Sequence, residues 1–128
     1  MRKLVLPVVA LLLLSGRALA GVPAQQQEDA KAKAENWIMQ ADSTKALVAG
    51  VLSAAIEAGA EEHAVARDHV VDAQHWMDEA EKPLTAAKEA YAAEDYTKAG
   101  NMGNMAWQYY VKAGSAAVRA SKMVSGGT

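Results

Sequence analysis

The sequence contains no cysteine, which excludes disulfides, thiolate metal sites and a cysteine nucleophile. Proline is also scarce, since Pro83 is the only one after residue 23. Beyond residue 20 there is no run of Val, Ile, Thr and aromatic residues that alternates with period two, the pattern that predicts strands. What remains is a chain expected to be helical and to be held together by packing alone.

The first twenty residues have the pattern of a secretory signal. Two basic residues precede an apolar run from Leu4 to Leu14, and "SGRALA" ends in the small-x-small pattern that signal peptidases accept. The run is shorter than the roughly 20 residues that a bilayer span needs, and no cysteine near the cleavage site offers a lipid anchor. We therefore expect residues 1–20 to be a cleaved signal peptide and residues 21–128 to be one domain, periplasmic or secreted from a bacterium.

Charge narrows the choice of partner. Residues 21–128 contain 10 Lys and Arg against 15 Asp and Glu, a net charge of −5 with histidine neutral. This balance argues against nucleic acid or an anionic membrane surface as the main partner, and no later segment is apolar enough for stable membrane insertion. The acid is concentrated in residues 57–95, whereas Lys112, Arg119 and Lys122 make the last stretch basic. A head-to-tail contact between two copies is therefore conceivable.

Alanine in nearly every turn predicts an all-α fold, because alanine is the strongest helix former. Gly59 in "EAGAEE" predicts one turn, and Asp95 in "AAEDYTKA" predicts the N-terminal cap of a last helix. The result is an antiparallel up-down bundle of three long helices. Pro83 leaves a four-helix version open, because proline can start a helix or kink one, and we favour a kink or a very short break.

A sustained 3,4 alternation of apolar and small residues predicts the buried stripe of each helix. The first stripe is Ala30, Ala34, Trp37, Ala41, Thr44, Val48, Val51, Ala55 and Ala58. The second is Ala66, Val70, Ala73, Met77, Ala80, Leu84, Ala87 and Tyr91. The third is Ala99, Met102, Ala106, Tyr109, Ala113, Ala116, Ala120 and Met123.

"AKEAYAAEDYTKAGNMGNMA", residues 87–106, resembles the turn region of a tetratricopeptide repeat. Asp95, Tyr96, Ala99 and Ala106 occupy positions where that motif has its Asp-Tyr turn and two small residues. The chain departs from the motif where Glu94 replaces a preferred glycine and Gly103 an expected aromatic residue. The resemblance implies a helical hairpin used for protein interaction.

"DHVVDAQHWMDEA", residues 68–80, contains a candidate metal-binding stripe. On a helix Asp68, Asp72, His75 and Glu79 fall within about 60° of one another, and steps of three or four residues allow two side chains to share an ion. A looser resemblance to small alanine-rich exported helical proteins, some with histidine-studded helices, implies copper or another divalent metal. The alternative is an ordinary solvated face, because the stripe points away from the predicted core.

Met102 and Met105 form a second candidate, since a Met-x-x-Met pair on one helical face suits Cu(I). Core packing is the alternative for these two residues. We expect the protein to bind no cofactor, with copper or zinc as the alternative.

Trp76, Trp107 and Tyr110 lie beside the predicted stripes and are candidates for an aromatic contact with a protein partner. The alternative is that they supply bulk to an alanine-rich core. No serine or threonine has a nucleophile signature around it, and no histidine follows a glutamate by three residues, so we expect no enzyme. The sequence favours an exported interaction or envelope-associated structural module that binds another protein or itself, with a small periplasmic metal-binding protein as the alternative.

Overall fold

A computed structural model describes residues 24–125 of the chain. The described part consists of three α-helices and one short 3-10 helix, in the order α1 (Ala24–Glu57), a 3-10 turn (Ala60–Glu62), α2 (Ala64–Ala92) and α3 (Tyr96–Val124). This confirms the predicted all-α class and the three-helix bundle. The predicted signal peptide, residues 1–20, lies outside the described residues. Within residues 24–125 no helix combines the length and the apolar character needed to cross a membrane.

The turn between α1 and α2 forms where the glycine predicted it. Gly59 has a φ of 98°, in the left-handed region, and its N–H donates to the Ile56 carbonyl at 3.0 Å. Helix α2 begins directly after this turn and has an N-terminal cap that the sequence did not predict. The Nδ1 atom of His63 accepts a hydrogen bond from the Ala66 N–H at 3.2 Å, the interaction that serine or aspartate usually supplies at this position.

The turn between α2 and α3 is shorter than the first turn, and the C-terminal cap of α2 is followed directly by the N-terminal cap of α3. Glu94 has a φ of 63°, and the N–H groups of Glu94 and Asp95 donate to the carbonyls of Tyr91 and Ala90, both at 2.9 Å. These two bonds form a Schellman motif. The Asp95 carboxylate then accepts from the Lys98 N–H at 3.2 Å and caps α3 as predicted.

Pro83 does not divide α2, so the four-helix alternative is wrong. The helix runs from Ala64 to Ala92 with Pro83 inside it. Proline removes one backbone hydrogen bond, yet here Pro83 and the neighbouring Leu84 are both buried. Their burial in the bundle favours continuation of the helix over a break.

The core of the bundle is built on α3, which packs closely along both other helices, whereas α1 and α2 approach each other at few places. α1 runs parallel to α3, since Trp37 lies at Gly103 and Val48 at Gly114. α2 runs antiparallel to both. The packing between α1 and α3 is tight enough that a Cβ atom on Gly103 would lie 3.0 Å from the Trp37 Cβ and 3.2 Å from the Ile38 backbone nitrogen.

The predicted α2 stripe is buried except for the half-buried Met77 and Tyr91, whereas the α1 and α3 stripes each include further residues that are not buried, among them the exposed Ala58 and Met123. Met102 and Tyr109 are only half-buried and Met123 is exposed, whereas Gly103 and Tyr110 are buried. The cause is that α3 is covered from two sides, which makes its buried stripe wide and moves its centre. Small residues then occupy the line of closest approach, where bulky side chains would push the helices apart.

Candidate protein-interaction groove

The predicted metal stripe lies on the solvent side of α2. Asp68, Asp72 and His75 are exposed and Glu79 is half-buried. Glu79 pairs with Lys82 at 3.2 Å, and the His75 ring packs against Trp76 with ring centroids 4.9 Å apart. Among residues 24–125 no three His, Asp or Glu side chains come together in an arrangement that could hold a metal ion. A metal on this stripe stays a prediction.

The two methionines of the Cu(I) prediction lie one turn apart on α3. Met102 is half-buried, and Met105 is 39 % exposed. Neither side chain belongs to the three clusters of buried residues that form the core. Cu(I) binding by this pair also stays a prediction.

The predicted aromatic patch does not form, because its three members lie in different places. Trp107 packs against Trp37 of α1 and Trp76 packs against Tyr109, each pair with centroids 5.4 Å apart. Tyr110 is fully buried and its hydroxyl donates to Glu81 at 3.0 Å. The expectation that Tyr110 contacts a partner is therefore wrong, since this residue lies on the wide buried stripe of α3.

Where α1 and α2 stay apart, the surface forms a groove that the sequence did not reveal. Two cavities lie along it, with volumes of about 460 Å³ and 340 Å³. The first is lined by Glu35, Ile38, Met39, Asp42, Ser43, Lys88 and Tyr91. The second is lined by Ala49, Leu52, Ser53, Ile56, Glu57, Gln74, Met77 and Asp78. We call these two cavities together the α1/α2 groove.

Polar side chains bridge the groove without closing it. Lys88 pairs with Asp42 at 3.1 Å, Lys45 pairs with Glu81, and the Tyr91 hydroxyl donates to Glu35. All three bridges join α1 to α2. Such half-exposed pairs contribute little stability each, on the order of 0 to 1 kcal/mol. They fix the spacing of the two helices more than they stabilise the bundle.

The bridges account for the perturbed pKa values of this region. The hydrogen bond to Lys45 holds the pKa of the Glu81 carboxyl below its ordinary value, against the opposing effect of burial. The hydrogen bond to Glu35 raises the pKa of Tyr91 to about 12. Burial, followed by the bond to Glu81, raises the pKa of Tyr110. Each shift favours the protonation state that the structural pairing needs.

The groove combines apolar walls with one strongly exposed apolar side chain. Ile38, Ile56 and Met77 are half-buried in it, and Met39 on its rim is 58 % exposed. A flexible methionine at the edge of an apolar cavity is typical of surfaces that adapt to a partner. Sequence periodicity could not locate this groove, because it depends on which two of the three helices stay apart.

We compared the chain with protein-family models, with curated proteins and with solved structures, and none of them matches it.

Proposed function

We propose that this protein is an exported, non-enzymatic helical module that binds a protein partner in the α1/α2 groove. One observation carries the proposal: α1 and α2 both pack on α3 but are held apart from each other, which leaves an apolar groove between two long helices. Grooves of this kind accept an amphipathic helix, whose apolar side chains fill the cavities at helical spacing. The export rests on the predicted signal in residues 1–20.

The vacant position of a fourth helix supports this choice of partner. Two helices packed on one shared helix leave an uncovered side, and a four-helix bundle covers that side with another helix at a similar packing distance. The groove reaches from Glu35 to Glu57 along α1, about 33 Å at 1.5 Å per residue. A partner helix of about six turns would fill it.

The charges that line the groove indicate the chemistry of that helix. Four acidic side chains line the two cavities, and Lys88 is the only basic residue among the lining residues. The four acids are Glu35, Asp42, Glu57 and Asp78. We therefore propose a helix with an apolar stripe flanked by lysine or arginine, which a net negative groove would attract.

A photocrosslinking experiment tests the proposal. A photoreactive amino acid replaces Ser43, which lines the first cavity, or Gln40, which is exposed on α1 outside both cavities. We expect a protein adduct from position 43 but not from position 40 when the full-length chain is expressed and exported in its source cells. Mass spectrometry of the adduct identifies the partner. Equal adducts from both positions, or none from either, would overturn the proposal.

A further inference from the structure

Charge is distributed very unevenly among the three helices. α3 carries four basic residues and no acidic residue, whereas α1 and α2 together carry eleven acidic and six basic residues. The basic residues of α3 are Lys98, Lys112, Arg119 and Lys122. All four are exposed, and none of them forms an ion pair with another residue in the described range 24–125. The Nζ atom of Lys112 lies over the Trp76 ring of α2, 4.5 Å from its centroid, so Lys98, Arg119 and Lys122 are the positive charges of α3 that are available to a second molecule.

The basic residues of α3 share one side of the helix. At 100° per residue, Lys98, Lys112 and Arg119 lie within about 60° of one another, with Lys122 about 60° beyond. The exposed side chains of Met105 and Met123 lie on the same side. We call these six residues the α3 outer face. Its mean direction lies roughly 120° away from that of the buried stripe of α3, and it therefore does not face the α1/α2 groove of its own molecule.

One molecule thus presents two surfaces of opposite charge on different sides. The groove is acidic and apolar, with the exposed Met39 on its rim. The α3 outer face is basic, with two exposed methionines. Their lengths are also similar, since the α3 outer face extends from Lys98 to Met123, about 38 Å at 1.5 Å per residue, and the groove measures about 33 Å. The α3 outer face thus has the properties proposed above for the partner of the groove.

We propose that the α1/α2 groove is occupied by the α3 outer face of a second copy of this chain. The proposal rests on the proposed function and names the partner of the groove. In the complex, α3 of one copy would supply the missing fourth helix of the next. Arg119 and Lys122 would lie against acidic groove residues, and Met105 would enter an apolar cavity.

The two surfaces differ, so the contact is heterologous and leaves a free groove on one copy and a free α3 outer face on the other. Contacts of this type repeat head to tail and form open chains or closed rings instead of stopping at a dimer. Because the attraction involves exposed charges, salt should weaken it, since the Debye length falls from about 10 Å at 0.1 M to about 3 Å at 1 M ionic strength.

Two complementary variants test the proposal. In the face variant, Arg119→Glu and Lys122→Glu bring the net charge of the α3 outer face from +4 to 0 and leave the groove intact. In the groove variant, Met39→Lys and Ser43→Lys add positive charge to the groove and leave α3 intact. A matched control places the same new charges on exposed positions of α1 that line neither cavity, with Gln40→Lys and Leu47→Lys. Circular dichroism verifies that each variant is folded.

Sedimentation velocity then measures the size of each sample over a range of concentrations and salt. We expect the wild-type protein and the control to form species that grow with concentration and dissociate in high salt. Each variant alone should be monomeric. An equimolar mixture of the two variants should form a heterodimer and nothing larger, because one intact groove meets one intact α3 outer face.

Two outcomes would overturn the proposal. One is a wild-type protein that is monomeric at every concentration and low salt. The other is a wild-type protein that associates while the mixed variants stay monomeric, which would assign association to different surfaces. If the wild-type protein is monomeric and the photocrosslinker at position 43 captures a different protein, the groove keeps its proposed function and only the second copy is excluded.

Discussion

Helix α1 meets α3 and α2 in two different ways, and the difference follows from side-chain size. Toward α3, the chain places glycine and alanine at the line of contact, so that Gly103 lies against the backbone of α1 at Trp37 and Ile38. Toward α2, it places long polar side chains that meet tip to tip, such as Asp42 and Lys88. Small residues therefore decide which pair of helices closes, and charged residues keep the other pair open as a groove.

Removal of the Tyr110 side chain should have the largest effect, because this residue is the largest fully buried side chain in the described residues. Tyr110→Ala leaves a cavity among alanines that cannot fill it, and should lower the free energy of unfolding by about 4 kcal/mol. Tyr110→Phe keeps the ring and loses only the bond to Glu81, which should cost about 1 kcal/mol. Urea denaturation followed by circular dichroism measures both. Equal losses would show that the ring does not support the core.

A glycine-to-alanine substitution should have opposite effects in the contact between α1 and α3 and on the exposed surface of α1. A Cβ on Gly103 meets Trp37 at 3.0 Å, whereas a Cβ on Gly50 has no neighbour within 4 Å. Gly103→Ala should destabilise the protein by about 1 to 2 kcal/mol through overpacking. Gly50→Ala should stabilise it by roughly 0.5 to 1 kcal/mol through helix propensity. Opposite signs in thermal denaturation support the close approach of α1 and α3, and two stabilising substitutions would contradict it.

The turn that closes α2 onto α3 offers a gain in stability. Glu94 has a φ of 63°, a left-handed conformation that costs a residue with a Cβ roughly 1 kcal/mol relative to glycine. Glu94→Gly should therefore raise the free energy of unfolding by up to about 1 kcal/mol. Ala93→Gly, one residue earlier at a φ of −88°, is the matched control and should give no gain. A loss in both variants would argue against the Schellman geometry of this turn.

Sequence periodicity predicted the closed side of the molecule better than the open side. Ala34, Ala41 and Ala73 were assigned to the core because they recur at helical spacing, and all three are fully buried. Gly103 and Tyr110 were missed on α3, since a pattern that favours apolar bulk selects Met102 and Tyr109 beside them. Periodicity assigns a face to each helix by itself. It carries no information on which helices stay apart, and this decides both the groove and the burial of Tyr110.

The smallest effect on stability should come from the polar bridges between α1 and α2, and the pH dependence of stability measures the contribution of one of them, the Lys45–Glu81 pair. The Glu81 carboxyl has its pKa lowered in the folded protein, mainly by Lys45. A lowered pKa stabilises the fold above the pKa of the unfolded chain, and that contribution disappears as pH falls through the folded value. Its size should be below about 1 kcal/mol, because the side chains of Lys45 and Glu81 are 41 % and 47 % exposed. Glu81→Gln should therefore be less stable than the wild-type protein at neutral pH, and the difference should shrink as pH falls from the usual glutamate pKa of about 4.3 through the lower folded value. Glu89→Gln, at an exposed acid of the same helix without an ion pair in the described range, should show no such pH-dependent difference in urea denaturation. If Glu81→Gln instead lowers the free energy of unfolding equally at neutral and at acidic pH, Glu81 stabilises the fold through its contact with Tyr110 and not through its charge.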